Sequence, residues 1–410
     1  MTSQAVADKA FNPDDLASDA ARSSAPPYFH RQPDTVRYDF DQGLPDPDTY
    51  PRDVLLKLAA EAIDDPFALE YHAGMNYTDM SLGDAGLRRE IAAYIDRRDG
   101  GTHDPDGLTV THGSAHGVAL VANGFLSPGD AVFVEAATFP FGLRYFEAAG
   151  AAIRPIPIDD DGMQVDRLPD EIGKARVEGL RPKMVYTIAT HHLPTGSVMS
   201  LERRRTLLAL AQEHDMMVLE DNIYREYGSG NQLPTLLSMD EEGRVLQTDS
   251  FAKNVAPAVR LGWIAGDPRA MVSIAKVRQD LGVSMWLQKI MQRYLAQGYH
   301  EQHIAEISKL YAAKRQVAVE ALKEFCAPEI TFSAPAGGWY FWLALDPAID
   351  WEDVQQKCMD AGIAMRPGEM FLGQEGGVPH MRLAVGHVSH EMIREGMKAL
   401  GEVVKSARRL

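Results

Sequence analysis

The sequence has little cysteine, less basic than acidic charge, and no long apolar runs. Its two cysteines, Cys326 and Cys358, provide neither a disulfide framework nor a metal-binding pattern, which favours a reducing cytoplasm. The formal net charge of −17 argues against nucleic acid and anionic membranes as partners. No run approaches the roughly 18 apolar residues that a membrane-spanning helix needs. The N-terminus also lacks the basic and apolar regions of a signal peptide, so we expect a cytoplasmic protein without membrane contact.

The composition is otherwise that of a globular protein, with 45% hydrophobic and 24% charged residues among 410. This length allows two or three domains. Residues 1 to about 35 are polar and interrupted by prolines, which is typical of an arm. From about residue 281 the pattern becomes long and helical, and strand-like runs mixed with helices then indicate an α+β lobe.

The most informative segment, residues 249–263, presents one lysine between two apolar runs. We predict that a strand ends before Lys253, that a loop carries this lysine, and that a second strand follows. Burial there lowers the pKa of the lysine amine and makes it a nucleophile toward carbonyl groups. Arg260, seven positions later, has a planar fork suited to phosphate. A carbonyl and a phosphate on one small molecule indicate pyridoxal 5'-phosphate (PLP), bound as a Schiff base.

Two other segments predict polar groups at strand ends. An apolar run ends at Asp221, with Tyr224 three residues later, and side chains at the carboxyl end of a parallel strand face a ligand crevice. Asp221 precedes Lys253 by 32 residues, with strand patterns on both sides. The turn Gly113-Ser114 opens a predicted helix, whose free N–H groups and positive dipole end suit a phosphate.

These segments resemble the fold-type I PLP-dependent enzymes of the class I/II aminotransferase family. The resemblance covers nearly the whole chain after residue 40, in the expected order. It implies an α/β, aspartate aminotransferase-like fold with an N-terminal arm (1–45), a large PLP-binding domain with a mostly parallel sheet (46–300) and a smaller α+β C-terminal domain (301–410). The lysine signature is matched by Ser250, Lys253, Pro257, Arg260, Gly262 and Trp263.

The resemblance also implies roles for individual residues. It makes Lys253 the Schiff-base lysine and proton carrier, Asp221 the partner of the pyridine nitrogen, and Tyr224 a partner of the phenolic oxygen. Arg382 then grips the substrate carboxylate, and Gly43 approaches the substrate closely. Further cofactor contacts are implied for Gly113, Ser114, Ala115, Phe139, Ser250 and Arg260, and for Tyr71, which crosses the interface of a homodimer. Other candidates for substrate contact are Tyr28, His30, Arg31, His72, His116 and Trp339.

The motif at residues 193–196 departs from the family pattern. Relatives have Asn-Pro-Thr-Gly, whose asparagine bonds the phenolic oxygen of the cofactor, and here Leu193 takes its place. Leucine cannot donate, so that oxygen loses a bond worth roughly 0.5–1.5 kcal/mol or finds another donor, for which His192 is the candidate. We predict no metal at His191 and His192, because adjacent residues on an extended chain point in opposite directions.

The expected activity is that of a PLP-dependent aminotransferase, which moves an amino group between an L-amino acid and a 2-oxo acid. Leu193 leaves open an alternative, a PLP enzyme whose reaction is diverted to oxidation, elimination or decarboxylation. A third hypothesis is a transcription regulator with a PLP-enzyme fold. Such a regulator carries a DNA-binding unit, and the roughly 35 polar residues before the first match are too few to form one.

Overall fold

The computed structural model describes residues 16–17, 35–69, 81–228, 232–371 and 379–408. The chain separates into two compact units, residues 1–35 and residues 36–410. Several residues that the sequence singles out lie outside the described ranges, so their predicted roles stay predictions. They are Tyr28, His30, Arg31, Tyr71 and His72.

Thirteen α-helices lie in the described ranges. They are α1 (Arg52–Ile63), α2 (Ala85–Asp99), α3 (Ser114–Phe125), α4 (Pro140–Ala148), α5 (Leu168–Val177), α6 (Leu201–Glu213), α7 (Leu236–Met239), α8 (Phe251–Asn254), α9 (Pro268–Val277), α10 (Met285–Ala296), α11 (Tyr299–Phe325), α12 (Trp351–Asp360) and α13 (His390–Ser406). None of them combines the length and the apolar character that crossing a bilayer requires.

The described ranges also contain fifteen β-strands. They are β1 (Tyr38–Asp39), β2 (Leu108–Thr111), β3 (Asp130–Glu135), β4 (Ala152–Ile156), β5 (Ile158–Asp159), β6 (Gly162–Met163), β7 (Arg181–Thr187), β8 (Met217–Asp221), β9 (Val245–Ser250), β10 (Gly262–Ala265), β11 (Ile330–Thr331), β12 (Tyr340–Leu345), β13 (Ile363–Ala364), β14 (Arg366–Pro367) and β15 (His380–Ala384).

Seven strands form the central sheet, in the order β2-β10-β9-β8-β7-β3-β4. Strand β10 pairs antiparallel with both β2 and β9, and the other neighbours are parallel. Strands β3 and β9 are buried at every position, as in sheets that helices cover on both faces. The predicted α/β fold with a mostly parallel sheet is confirmed.

The C-terminal region contains a second, antiparallel sheet of four strands, β11-β12-β15-β14. The 27-residue helix α11 packs against α13, and apolar side chains of both helices join the core beside β12 and β15. Strand β1 pairs in parallel with β13, so the start of the larger unit is held by this region. The domain boundaries predicted at residues 45 and 300 stay predictions.

Strand direction determines where the polar groups collect. Strand β2 runs parallel to β9, because each of them pairs antiparallel with the intervening β10. The carboxyl ends of β2, β3, β7, β8 and β9 therefore meet at one edge of the sheet, where ligands of α/β proteins bind. The residues that follow these ends include Gly113, Phe139, His192, Tyr224 and Lys253.

Candidate active site

Lys253 lies in α8, a single helical turn that directly follows β9. The Ser250 hydroxyl caps this turn by accepting a hydrogen bond from the Ala252 N–H at 3.0 Å, and it donates to the Leu261 carbonyl at 3.1 Å. The Lys253 Nζ donates to the Gly43 carbonyl at 2.5 Å. Burial lowers the pKa of the Lys253 amine, so its neutral, nucleophilic form becomes more accessible.

Asp221 ends β8 and is buried. Its Oδ2 accepts a hydrogen bond from the Tyr186 hydroxyl at 3.2 Å, whereas its Oδ1 has no hydrogen-bond partner among the described residues. Burial raises the pKa of the carboxyl to about 7, although the hydrogen bond from Tyr186 opposes the rise. A buried acceptor without a donor is unfavourable, and a protonated ring nitrogen is a group that would satisfy it.

The start of α3 forms a cradle with Arg260. Gly113 has φ of 80°, and a Cβ at this position would lie 2.9 Å from the Arg260 Nη2. The same Nη2 donates to the His112 carbonyl at 3.3 Å, which fixes the guanidinium over the turn. The N–H groups of Ser114 and Ala115 begin the helix. A helix N-terminus beside an arginine fork fits a phosphate group.

Arg382 is buried in β15 with only part of its fork engaged. Its Nη2 donates to the Asp41 carbonyl at 2.7 Å and lies 3.6 Å from the Asp41 carboxylate. Its Nε and Nη1 have no hydrogen-bond partner among the described residues. The guanidinium lies 5.2 Å from the ring centroid of Tyr340 and 5.6 Å from that of Phe371. The two free nitrogens suit a ligand carboxylate.

Tyr224 makes a contact that the sequence did not reveal. Its hydroxyl lies 2.9 Å from that of Tyr340, and both rings are buried. A Cβ at Gly43 would collide with the Tyr340 hydroxyl, so Tyr340 and Gly43 are in close contact. Trp339 packs edge-on against Tyr224 with ring centroids 5.7 Å apart, and its predicted contact with the substrate stays a prediction. The only sequence signal for Tyr340 was a polar atom in an otherwise apolar strand.

Leu193 and its neighbour His192 are both packed against other side chains of the protein. Leu193 is buried in the main apolar core. His192 is buried, with its Nδ1 2.9 Å from the Thr195 hydroxyl and its Nε2 3.7 Å from the Glu135 carboxylate. A hydrogen bond from His192 to the cofactor therefore stays a prediction. Phe139 is half-buried at the start of α4, and its predicted stacking on the cofactor ring also stays a prediction.

One group of side chains has the spacing of metal ligands in the described ranges, namely His112, His116 and Asp280. The His112 Nε2 lies 3.2 Å from the Asp280 Oδ2. Arg278 already donates to both oxygens of that carboxylate, at 2.9 and 2.8 Å. The charge of Asp280 is thus matched by a guanidinium, and contact of His116 with the substrate stays a prediction.

The raised pKa of Asp221 predicts a pH effect on protein purified without PLP. The pKa of Asp221 is about 7 in the folded protein and 3.8 ordinarily, so the folded state binds a proton that the unfolded state loses between these pH values. The resulting stabilisation is complete at low pH and is lost as the pH rises to 7. Between pH 5 and 8, the unfolding free energy of the wild type should fall relative to that of Asp221→Asn by about 3 kcal/mol. Urea unfolding at both pH values measures this difference.

The control for this experiment is Asp215→Asn, because the Asp215 side chain is 94% exposed and its pKa is lowered. Its unfolding free energy should keep a constant offset from the wild type over the same range. Parallel curves for Asp221→Asn and the wild type would contradict the assigned environment of Asp221.

Comparisons with known proteins identify the family and the fold of this chain. The profile of the family described as Aminotransferase class I and II matches residues 43–400. Aromatic-amino-acid aminotransferase 1 of Thermococcus litoralis is 35% identical over 368 residues, 88% of this chain and 87% of that protein. The crystal structure of a multiple substrate aminotransferase from Thermococcus profundus has a TM-score of 0.89 and 31% identity, covering 97% of this chain and 99% of that one.

A kynurenine aminotransferase from Pyrococcus horikoshii, solved in complex with PMP, gives the same TM-score of 0.89, 31% identity and coverage of 97% and 99%. The fold, the matched length and the identity of these relatives agree with one another. The chain therefore belongs to the class I and II aminotransferases, and it transfers amino groups between amino acids and 2-oxo acids with PLP.

Proposed function

We propose that Lys253, Asp221 and Tyr224 carry the amino transfer between an L-amino acid and a 2-oxo acid in this enzyme. The observation that supports this most directly is the position of the Lys253 amine. It lies at the sheet edge that also carries the unpaired Asp221 Oδ1, and burial lowers its pKa. A buried amine and an unpaired carboxylate oxygen at the same sheet edge can serve the aldehyde and the ring nitrogen of one PLP molecule.

Bound PLP supplies an aldehyde carbon that accepts amines and a ring that takes up electrons released at the substrate Cα. Lys253 would be the point of covalent attachment, and its amine, when free, would move a proton at the substrate Cα. Asp221 Oδ1 would accept a hydrogen bond from the protonated ring nitrogen and so keep the ring electron-poor. The Tyr224 hydroxyl would donate a hydrogen bond to the phenolic oxygen.

The phosphate of the cofactor belongs in the cradle of α3, where the helix N-terminus and the Arg260 fork supply positive charge. Phe139 covers one ring face, and His192 is the proposed replacement for the donor that Leu193 lacks. The full set of proposed cofactor contacts is Gly113, Ser114, Ala115, Phe139, His192, Asp221, Tyr224, Ser250, Lys253 and Arg260, with Tyr71 of a second subunit.

Arg382 is the proposed holder of the substrate carboxylate, because two of its nitrogens are free and Asp41 fixes the third. Gly43 borders the same space through its contact with Tyr340. When Arg382 binds the carboxylate of an amino acid, the Cα of that amino acid is oriented toward the cofactor. The same arginine binds the carboxylate of the 2-oxo acid. Aromatic amino acids are the first substrates to test, since the relatives include aromatic-amino-acid and kynurenine aminotransferases.

We also propose that the enzyme is a cytoplasmic homodimer. Four apolar side chains between residues 56 and 69 are 74, 50, 42 and 70% exposed, and the chain leads from them to Tyr71; they are Leu56, Ile63, Phe67 and Leu69. A second copy of the chain would cover this surface. We expect light scattering to give a particle mass of twice 45.2 kDa, and a mass of 45.2 kDa would contradict the dimer. The two free, buried cysteines are compatible with a reducing compartment.

The reaction is tested by mixing the PLP-loaded enzyme with a panel of L-amino acids and 2-oxoglutarate or pyruvate. We expect the amino group to appear on the 2-oxo acid, and Lys253→Ala to lower this transfer by at least about 10³-fold, because the attachment point and the proton carrier are lost together. The variant should also lose the covalently bound visible chromophore on gel filtration.

The matched control is Lys276→Ala, which removes an exposed lysine of α9 and should keep wild-type transfer. Release of ammonia, carbon dioxide or peroxide without amino transfer would contradict the proposed reaction. Normal turnover by Lys253→Ala would contradict the assigned role of the lysine.

Arg382→Gln should raise the KM for both amino acid and 2-oxo acid about 10²-fold, because a two-point grip on the carboxylate is lost. Steady-state kinetics with each substrate varied in turn measures this effect. The control is Arg394→Gln, whose exposed guanidinium pairs with Glu324 on the surface and should leave both KM values unchanged. An unchanged KM in Arg382→Gln would place the carboxylate elsewhere.

A further inference from the structure

A second buried phenol stands next to Tyr224. Tyr340 begins β12, and its hydroxyl is 2.9 Å from the Tyr224 hydroxyl, with the two rings perpendicular at 5.3 Å. Each phenol has one proton. Because one phenol donates and the other accepts in this hydrogen bond, one proton of the pair remains for a further acceptor.

The surroundings place this pair inside the proposed site. The Tyr340 hydroxyl touches Gly43, whose carbonyl accepts from the Lys253 amine. The Arg382 guanidinium lies 5.2 Å from the centroid of the Tyr340 ring. Tyr340 thus contacts Tyr224 and Gly43 and lies beside Arg382.

The neighbouring motif offers one other donor. Leu193 is buried and has no polar side-chain atom. His192 shares its Nδ1 hydrogen bond with Thr195, whereas its Nε2, 3.7 Å from the Glu135 carboxylate, has no hydrogen-bond partner among the described residues. The phenol pair is therefore a source of a proton for the cofactor's phenolic oxygen that is separate from His192, and it includes Tyr224.

We propose that Tyr340 is a positioning residue, whose hydroxyl fixes that of Tyr224 and so keeps one phenol proton directed at the phenolic oxygen of the cofactor. The inference rests on the proposed role of Tyr224. In this proposal, a residue of the second sheet helps to set the pKa of a cofactor whose other contacts come from the central sheet. No covalent step is involved, since Tyr340 acts only through a hydrogen bond.

The test is the pH titration of the visible absorbance of the PLP-loaded protein. A donor to the phenolic oxygen stabilises its negative charge and lowers the pH at which the chromophore loses its proton. Tyr340→Phe should therefore raise the titration midpoint by about 0.5–1 pH unit, the equivalent of one net hydrogen bond. Tyr224→Phe should raise it as well.

The double variant separates positioning from an independent contact. If Tyr340 acts through Tyr224, Tyr224→Phe/Tyr340→Phe should titrate like Tyr224→Phe alone, because the two effects are not additive. Additive shifts, or a wild-type midpoint in Tyr340→Phe, would overturn the inference. Tyr294→Phe is the control, since the Tyr294 hydroxyl is buried without a hydrogen-bond partner in the described ranges and lies in α10. It should not move the midpoint.

Failure of the proposed function gives a different result. In that case the wild type binds no PLP chromophore, or Lys253→Ala keeps it, and the inference falls with the function. If the wild type titrates and Lys253→Ala loses the chromophore, only the Tyr340 variants decide the inference. Dialysis measurements of PLP affinity supply a second readout, in which Tyr340→Phe should bind a few-fold more weakly than the wild type.

Discussion

Buried charged groups with unused hydrogen-bonding capacity are the constraint around which this structure is arranged. Asp221 has one oxygen without a donor, and Arg382 has two nitrogens without acceptors among the described residues. A buried polar group without a partner destabilises a protein by about 1–3 kcal/mol, and a charged one by more. Asp221 ends a strand of the central sheet and Arg382 lies in the second sheet, and the charges of both act on Lys253. A cofactor with a ring nitrogen and a substrate with a carboxylate can satisfy the two groups together.

The scaffold that holds this edge contains a buried cluster of ion pairs. The Arg98 guanidinium in α2 lies 2.8 Å from Asp99, 2.9 Å from Glu226 and 2.7 Å from Asp249, and all three carboxylates are buried. Asp249 directly precedes the cap of the lysine turn, and Glu226 follows Tyr224 by two residues. One buried arginine therefore ties together the two segments that carry the proposed catalytic side chains, and losing it would leave carboxylates unpaired.

The sequence predicted the parts of the site that depend on local order. Lys253, Asp221 and Gly113 each follow an apolar run, and parallel strands bring such positions together whatever their exact register. Contacts between distant elements were not predictable in this way. Tyr340 and Tyr224 are 116 residues apart, Asp41 and Arg382 are 341 apart, and each contact joins a strand of the second sheet to a residue outside that sheet. The sequence likewise did not predict that β10 runs antiparallel to its neighbours, because a run of four apolar residues does not indicate the direction of a strand.

Positive charge near the proposed site explains how a protein of negative net charge binds anionic ligands. The chain carries a net charge of −17, yet the helix N-terminus at Ser114, Arg260 and Arg382 supply positive potential within the site. Both arginines lower the pKa of the Lys253 amine in addition to the effect of burial, whereas Tyr340 and Asp221 raise it. A phosphate beside Arg260 and a carboxylate beside Arg382 would offset the two cations. Ligand binding and the charge of the lysine are thus coupled through the same two side chains, so the nucleophile is most readily neutral before the anionic groups arrive and more readily protonated afterwards.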